Sequence, residues 1–350
     1  MKAVVKTAPG YDNMVYQDIP EPEAAGDLVK IKIAYSGICG TDLHAFKGTY
    51  ASTKPPVVLG HEFSGVVTAV GPDVKNIKVG DRVTSETTFA TCEHCSSCAT
   101  KDYNLCSNRR GIGTQINGSM AEFVVSREES VHVLPDHVSL LSAALTEPLA
   151  CGVHSSIEKG DVKKGDVVCV FGAGAIGQMV AQVCKSQGAT VIVAGLTADA
   201  ERFAVALANG ADRAVDQAKE DLSAIIRDMT NGEGVDIAFE CSGAVPAANK
   251  ALEVVRRKGT VVQMGVFPEA KVPIWTDLIL HKEINYVGSR SQKPSSWRTS
   301  IRLLGEGTVV PEKIVSRIVS LEDWREGFEM SMRGEGVKAV ICCDPALEGK

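Results

Sequence analysis

Two textures of apolar and polar positions follow one another along the chain. Up to about residue 150 the apolar positions come in short runs broken by glycine, proline and polar turns. "LVKIKIAYSGI" (28–38) alternates with period two, and "FSGVVTAVG" (63–71) reads as a strand closed by glycine. "GDRVTSET" and "MAEFVVS" are further short strands. Strands of this length and punctuation predict a partly open barrel or sandwich. From about 160 to 288 strands and helices take turns. "DVVCVFG" (166–172) is a continuous apolar run, as suits a parallel sheet buried on both faces. "AIGQMVAQVCKSQG" (175–188) has helical spacing and stops at Gly188; "TVIVAG" (190–195) is the next strand, and "ADAERFAVALANG" (198–210) the next helix. "RAVD", "DLSAIIRDM", "VDIAFE", "VPAANKALEVV" and "GTVVQMG" continue the order. This predicts an α/β fold with a doubly wound sheet. After Tyr286 the alternation stops, and "SSWRTSIRLLGEG" and "VKAVICCD" predict a helix and a strand that return to the first domain. The expected domains are therefore 1–152, 153–288 and a return segment 289–350.

Length and charge narrow the class. At 350 residues two domains are the natural expectation. A net charge of −6 and a pI near 5.7 argue against a nucleic-acid partner. The apolar run Val167–Cys184 is interrupted by Gly172, Gly174, Gly177, Gln178 and Gln182 and flanked by Lys163, Lys164 and Lys185, so it reads as strand and helix, not as a membrane span. The opening "MKAVVKTAPGYDN" holds no signal-peptide core. The expectation is a cytoplasmic protein with no membrane partner. Eleven cysteines, four of them clustered, then read as metal ligands or core residues before disulfides.

Gly172-Ala-Gly174-Ala175-Ile176-Gly177 lies where the first α/β strand gives way to its helix. A bare GxGxxG is a weak signal, but this one has a strand before it and a helix after it. Gly172 suits a tight turn, Gly174 a close approach of pyrophosphate to backbone, and Gly177 close helix–strand packing. The helix N-terminus offers N–H groups and partial positive charge to phosphates. An NAD-selective site usually ends its second strand on Asp or Glu, for the ribose hydroxyl. That place falls near Gly195, and the next acid, Asp199, is expected in the first turn of the following helix. Without the carboxylate a 2′-phosphate is admissible, with Thr197 or Arg202 as its contacts; Arg202 also reads as a solvated helix residue. NAD or NADP is expected, with relaxed selectivity.

Two candidate metal sites follow. Cys92, Cys95, Cys98 and Cys106 have the spacing C-x2-C-x2-C-x7-C, and four thiolates suit a closed, structural zinc site with no open position. His94 lies inside the cluster and is surplus to it. The second set is dispersed: Cys39-Gly-Thr41-Asp-Leu-His44 after one strand, Gly60-His61-Glu62 at the start of another, and Glu147 in "ALTEPLACG". Taken singly, each reads as an ordinary core, hydrogen-bonded or capping residue.

Taken together, the pattern is identifiable. Gly60-His61-Glu62-x-x-Gly65-x5-Gly71 followed by Gly80-Asp81-Arg82-Val83 resembles the zinc alcohol dehydrogenase signature of the medium-chain dehydrogenase/reductase family. The Cys39 motif, the four-cysteine lobe (89–108) and the GxGxxG stand in that family's order, and the likeness covers essentially the whole chain. The resemblance implies a GroES-like catalytic domain into which a Rossmann domain is inserted, with the active site in the cleft between them. It makes Cys39, His61 and Glu62 ligands of a catalytic metal, as in the sorbitol and polyol dehydrogenase branch. Glu147 becomes an exchangeable ligand or a holder of metal-bound water, Thr41 and His44 a proton relay, and the four clustered cysteines structural zinc ligands. By that resemblance the metal acts as a Lewis acid, lowering a hydroxyl pKa much as it takes bound water from about 16 to about 7, and hydride passes to nicotinamide C4. The oxygen-bearing shell makes zinc the first expectation and Mn²⁺ the second.

The same branch points to a secondary hydroxyl of a sugar alcohol or sugar-alcohol phosphate. Arg290 stands near an arginine that contacts substrate in that branch, against a plain surface arginine as the other reading. Lys293, Arg298, Arg109 and Arg110 are further candidates for a phosphate. L-Threonine 3-dehydrogenase is the rival, weakened because "SETTFATC" lacks the histidine its members carry before the first lobe cysteine. A non-enzymatic NADP-binding protein is the remote alternative, at odds with a full set of ligands. A homotetramer is implied by resemblance only.

Overall fold

The structure, a computed structural model, describes residues 1–347. The chain forms two compact units: Met1–Glu147 joined by the chain from Lys293 onward, and Pro148–Gln292.

In the first unit the alternating segment Leu28–Gly37 is the central strand. It pairs antiparallel with Glu62–Val70, Phe123–Arg127 and Lys338–Cys342. Its apolar positions Val29, Ile31 and Ile33 are fully buried, with Phe63, Phe46, Trp324 and Phe328 in the same core. From Leu28 to Ile33 alternation means what it usually means, one face packed and the other less so, whereas from Ile33 to Gly37 every residue is buried. The sheet continues through Arg82–Ser85 to Val131–Val133 on one side and to Val315–Ser320 on the other. The "VKAVICCD" run comes back across some 300 residues of sequence to pair with Tyr35–Gly37.

In the second unit six strands form one parallel sheet, in the order Arg213–Asp216, Thr190–Gly195, Val167–Phe171, Val235–Glu240, Val255–Gln263, Asn285–Gly288. Val168 and Val170 pack into one apolar cluster, and Cys169 and Phe171 into another. A strand buried on both faces needs a continuous apolar run, and "VVCVF" is one. Among the described residues no helix is long and apolar enough to cross a membrane.

Helices with no counterpart in the sequence reading include Gly40–Phe46, Thr276–Lys282 and Trp324–Arg333, besides the shorter Ser96–Ala99 and Leu140–Ala144. The first two span seven residues each, under two full turns, too short for a 3.6-residue period to show. The strand read as "GTVVQMG" begins earlier, at Val255, and takes in Arg256, Arg257 and Lys258.

Candidate active site and metal centres

Cys39 is the residue before the helix Gly40–Phe46, and its backbone N–H donates to Asp42 Oδ2 at 2.9 Å. Glu62 opens the strand that pairs with Leu28–Gly37, His61 directly precedes it, and Gly37 sits opposite Glu62. A side chain at 37 would run into the Glu62 carboxylate, so glycine there leaves that carboxylate its place. Cys39, His61 and Glu62 thus converge, their ligand atoms all within 4.8 Å of one another. Glu147, buried in the first turn of the helix Thr146–Val153, lies near enough for its charge to act on His61.

Two residues that the sequence reading passed over complete this neighbourhood. Asp42 is fully buried; one carboxylate oxygen takes the Cys39 N–H and the other the Gly60 N–H at 3.1 Å, and the latter lies 3.7 Å from His61 Nδ1. Burial pushes the Asp42 carboxyl up, against the pull of His61 and the two backbone amides. Burial opposes charge on His61, yet Asp42, Cys39 and Glu147 outweigh it and raise its pKa well above the ordinary value. Lys338 is the second: its Nζ lies 2.7 Å from Glu62 Oε1 and 2.5 Å from Oε2, and donates to the Ile38 carbonyl at 2.9 Å. Burial pulls this ammonium down, but Glu62, then Cys39 and Glu147, hold it above its usual value. Asp42 is legible as an acid three residues after Cys39, at the spacing of a helix N-terminal capping pair. Lys338 is legible only as one charge at the head of an apolar strand.

A soft sulfur, an imidazole and a carboxylate within one coordination radius form a donor set that suits zinc. His61 Nδ1 is buried and accepts or donates no hydrogen bond among the described residues. A ring this close to a thiol and three carboxylates, with its Nδ1 left without a hydrogen bond, fits a metal centre better than a packed core.

The proposed relay residues are placed differently from one another. Thr41 Oγ1 takes the Cys39 thiol at 3.6 Å. His44 is exposed and its Nδ1 pairs with Thr49 Oγ1 at 3.2 Å, so among the described residues Thr41 and His44 share no hydrogen bond.

The four-cysteine loop is a separate cluster. Sulfur–sulfur distances are 3.5 Å for Cys95–Cys98, 3.6 Å for Cys92–Cys106 and 3.9 Å for Cys92–Cys98. Cys98 and Cys106 are buried, Cys92 and Cys95 half-buried, and the strands Thr88–Ala90 and Arg110–Gly111 pair at the base of the loop. The His94 backbone amide, helped by neighbouring donors, draws the Cys92 thiol down to about 6. The His94 ring is exposed and bonds the Cys92 carbonyl at 2.5 Å. Replacing Cys95 by serine is expected to cost this cluster its metal and lower the unfolding midpoint, while protein that remains assembled keeps its kcat. Metal analysis, thermal unfolding and kinetics on the same preparation check this; loss of turnover in a stable, assembled Cys95→Ser protein would reverse the roles of the two clusters.

In the second unit the glycine turn joins Phe171 to the helix Ala175–Ser186. Gly172 has φ +100°, a conformation that favours glycine, and its N–H donates to the Ala194 carbonyl at 2.8 Å. Gly174 stands before the helix with no side-chain cap and nothing within 4 Å of where a Cβ would be. The open approach and uncapped N–H groups suit a pyrophosphate. Ala175 and Ile176 form the first turn, and a side chain at Gly177 would collide with the Gly172 carbonyl. Gly195 ends the second strand, Thr197 follows it, and Asp199 stands directly before the helix Ala200–Ala208. Arg202 is not simply solvated: its guanidinium pairs with Asp199 at 3.0 Å. Arg290 is exposed just beyond the last strand. Of the other basic candidates, Lys293 pairs with Asp102 at 2.9 Å, and Arg109 donates to Thr87 and Thr88 at 2.7 and 2.8 Å.

A thiolate–imidazole–carboxylate cluster on a GroES-like sheet, a four-cysteine loop and a dinucleotide turn on a parallel sheet define a zinc-binding, NAD(P)-linked dehydrogenase. Family models agree: residues 25–136 match the alcohol dehydrogenase GroES-like domain and residues 175–306 the zinc-binding dehydrogenase domain. The chain is 49% identical to a D-arabitol-phosphate dehydrogenase of Enterococcus avium, covering 99% of this chain and 98% of that protein. It is 44% identical to a sorbitol dehydrogenase of Halalkalibacterium halodurans, over 97% and 99%. The solved 2R,3R-butanediol dehydrogenase of Bacillus subtilis superposes with a TM-score of 0.89 at 32% identity, over 98% and 99%. The chain belongs to the zinc-containing alcohol dehydrogenase family of medium-chain dehydrogenases, and within it to the polyol dehydrogenase branch.

Proposed function

We propose that this enzyme oxidises a secondary hydroxyl of a sugar alcohol or sugar-alcohol phosphate to the ketose, with NAD or NADP as hydride acceptor. The observation that carries the reading is the convergence of Cys39, His61 and Glu62 on one coordination radius. In the proposal Cys39 and His61 hold the catalytic metal, with Glu62 and Glu147 as the oxygen ligands, and Cys92, Cys95, Cys98 and Cys106 hold a structural zinc. When bound, the catalytic metal supplies Lewis-acid activation of the hydroxyl. Asp42 lies beside the His61 ring, and Thr41 Oγ1 takes the substrate proton as it gives up its own. That proton reaches the exposed His44 and solvent through water, since Thr41 and His44 share no hydrogen bond among the described residues. Gly172, Gly174, Ala175, Ile176 and Gly177 hold the dinucleotide phosphates, Gly195, Thr197 and Arg202 lie at its ribose, and Arg290 meets substrate hydroxyls or phosphate.

The proposed domain limits are 1–152, 153–288 and 289–350. The proposed assembly is a homotetramer: the last strand of the parallel sheet, Asn285–Gly288, is an edge strand, and Val266, Trp275 and Leu280 nearby in sequence are exposed. A cytoplasmic location suits two thiolate-bearing sites that need reduced cysteines.

An oxidation screen of polyols, polyol phosphates and L-threonine, each with NAD and NADP, tests the reading. Turnover of a polyol or its phosphate is expected; turnover of L-threonine alone would replace it, and inactivity of metal-replete protein across the panel would overturn it. Chelated enzyme is expected to regain activity with zinc and, because of the oxygen ligands, also with Mn²⁺.

A further inference from the structure

The second strand of the parallel sheet ends on glycine where an NAD-selective site usually carries an acid. The structure shows what occupies the neighbourhood instead. The turn at Gly172 is tied to this strand through its bond to Ala194, and Gly195 pairs in register with Asp216, the last residue of the third strand. Asp216 therefore stands one strand over from the usual position, at the same level. Its Oδ2 takes the Thr197 hydroxyl at 2.7 Å and its Oδ1 the Ala218 N–H at 3.0 Å, and only 13% of its side chain is exposed. On the other side of the turn, Asp199 Oδ2 takes the Leu196 N–H at 3.1 Å and Oδ1 pairs with Arg202. Both groups a 2′-phosphate would use, the Thr197 hydroxyl and the Arg202 guanidinium, are thus already held by carboxylates.

We propose that Asp216, reaching across from the third strand through Thr197, is the residue that discriminates against the 2′-phosphate of NADP. This rests on the dinucleotide reading of residues 172–177. A phosphate at Thr197 displaces the hydroxyl from Asp216 and brings two like charges together in a partly buried turn. The Thr197 hydroxyl holds the Asp216 carboxyl below its ordinary pKa, so the charge is present at neutral pH. Two features temper the effect. Lys219 lies 3.0 Å from Asp216 but is 65% exposed, so it screens weakly. Arg202 stays within the same turn and attracts phosphate. NAD is therefore favoured over NADP without NADP being excluded. The same turn bears on the missing acid of the second strand: a Cβ at 195 would lie 2.7 Å from Asp199 Oδ2 and 3.1 Å from the Phe203 ring, so a side chain there would have to displace the Asp199 carboxylate.

The test is binding, read by nicotinamide fluorescence on the full chain without substrate. Asp216→Asn is expected to tighten NADPH about tenfold and to leave NADH within about twofold, the size expected for removing one like charge at a partly solvated site. Thr197→Val keeps the charge and removes the hydroxyl, and should not tighten NADPH. Unchanged NADPH binding in Asp216→Asn, a parallel loss of NADH, or equal tightening in Thr197→Val would each overturn the proposal. If Asp216→Asn does not fold, the wild-type protein still decides. Raising salt from about 0.02 M to about 0.5 M should lower the ratio of NADPH to NADH dissociation constants, because screening relieves like-charge repulsion. A flat or rising ratio overturns the assignment. Failure of the wild type to bind either nucleotide would instead overturn the dinucleotide reading beneath it.

Discussion

Replacing Cys39 by alanine is expected to abolish turnover while leaving the fold and the metal of the four-cysteine loop in place. The side chain is only half-buried, and its part in the helix Gly40–Phe46 is played by its backbone N–H, which alanine keeps. A change of about 1 kcal/mol or less in stability is therefore expected, the usual range for a substitution outside the core. The loss in activity is of a different order. Lewis-acid stabilisation is worth several kcal/mol, and each 1.4 kcal/mol is about tenfold, so kcat should fall by at least about a thousandfold. The measurement is metal content per chain, circular dichroism and kcat on one preparation. A Cys39→Ala protein that keeps both metals and its activity sinks the assignment; so does one that loses both metals, since the two clusters would then not be independent.

How far these sites were legible in the sequence differs residue by residue. The four-cysteine loop and the glycine turn are local, the four cysteines within fifteen residues and the three glycines within six, so spacing alone carries the chemistry. The parallel strands were legible because burial on both faces forces runs such as "VVCVF", and the central strand of the first unit because its first half, Leu28 to Ile33, buries one face and so alternates. Cys39, the adjacent pair His61 and Glu62, and Glu147 lie on three separate elements, and only a family pattern joins them before the fold does. Asp42 was missed because its helix is seven residues long. Lys338 and Asp216 were missed for a deeper reason. Their partners, Glu62 and Thr197, are set by which strand lies beside which, a fact of topology that no local period encodes.

Lys338→Met should be the most destabilising substitution in the first unit's polar core, and how destabilising it is should depend on metal. Lys338 and Glu62 are 4% and 1% exposed, so the pair is effectively removed from water. Taking away the ammonium leaves a buried carboxylate without its counter-charge, a loss of about 3–5 kcal/mol when a buried pair is broken. Methionine fills much of the lysine stem's volume, so a cavity contributes little. If Glu62 also faces the catalytic metal, the metal supplies the charge that the lysine no longer does. The unfolding midpoint of Lys338→Met should then fall steeply in chelated protein and much less in metal-loaded protein. Denaturant unfolding with and without chelator reads both values. A second substitution sharpens the argument. Glu62→Gln alone leaves Lys338 without its partner and should also destabilise, while Glu62→Gln with Lys338→Met removes both charges and should recover most of the loss, a coupling characteristic of residues in direct contact. Equal destabilisation in the two metal states would mean that Lys338 alone balances Glu62, and that the catalytic metal must draw its oxygen ligand from Glu147.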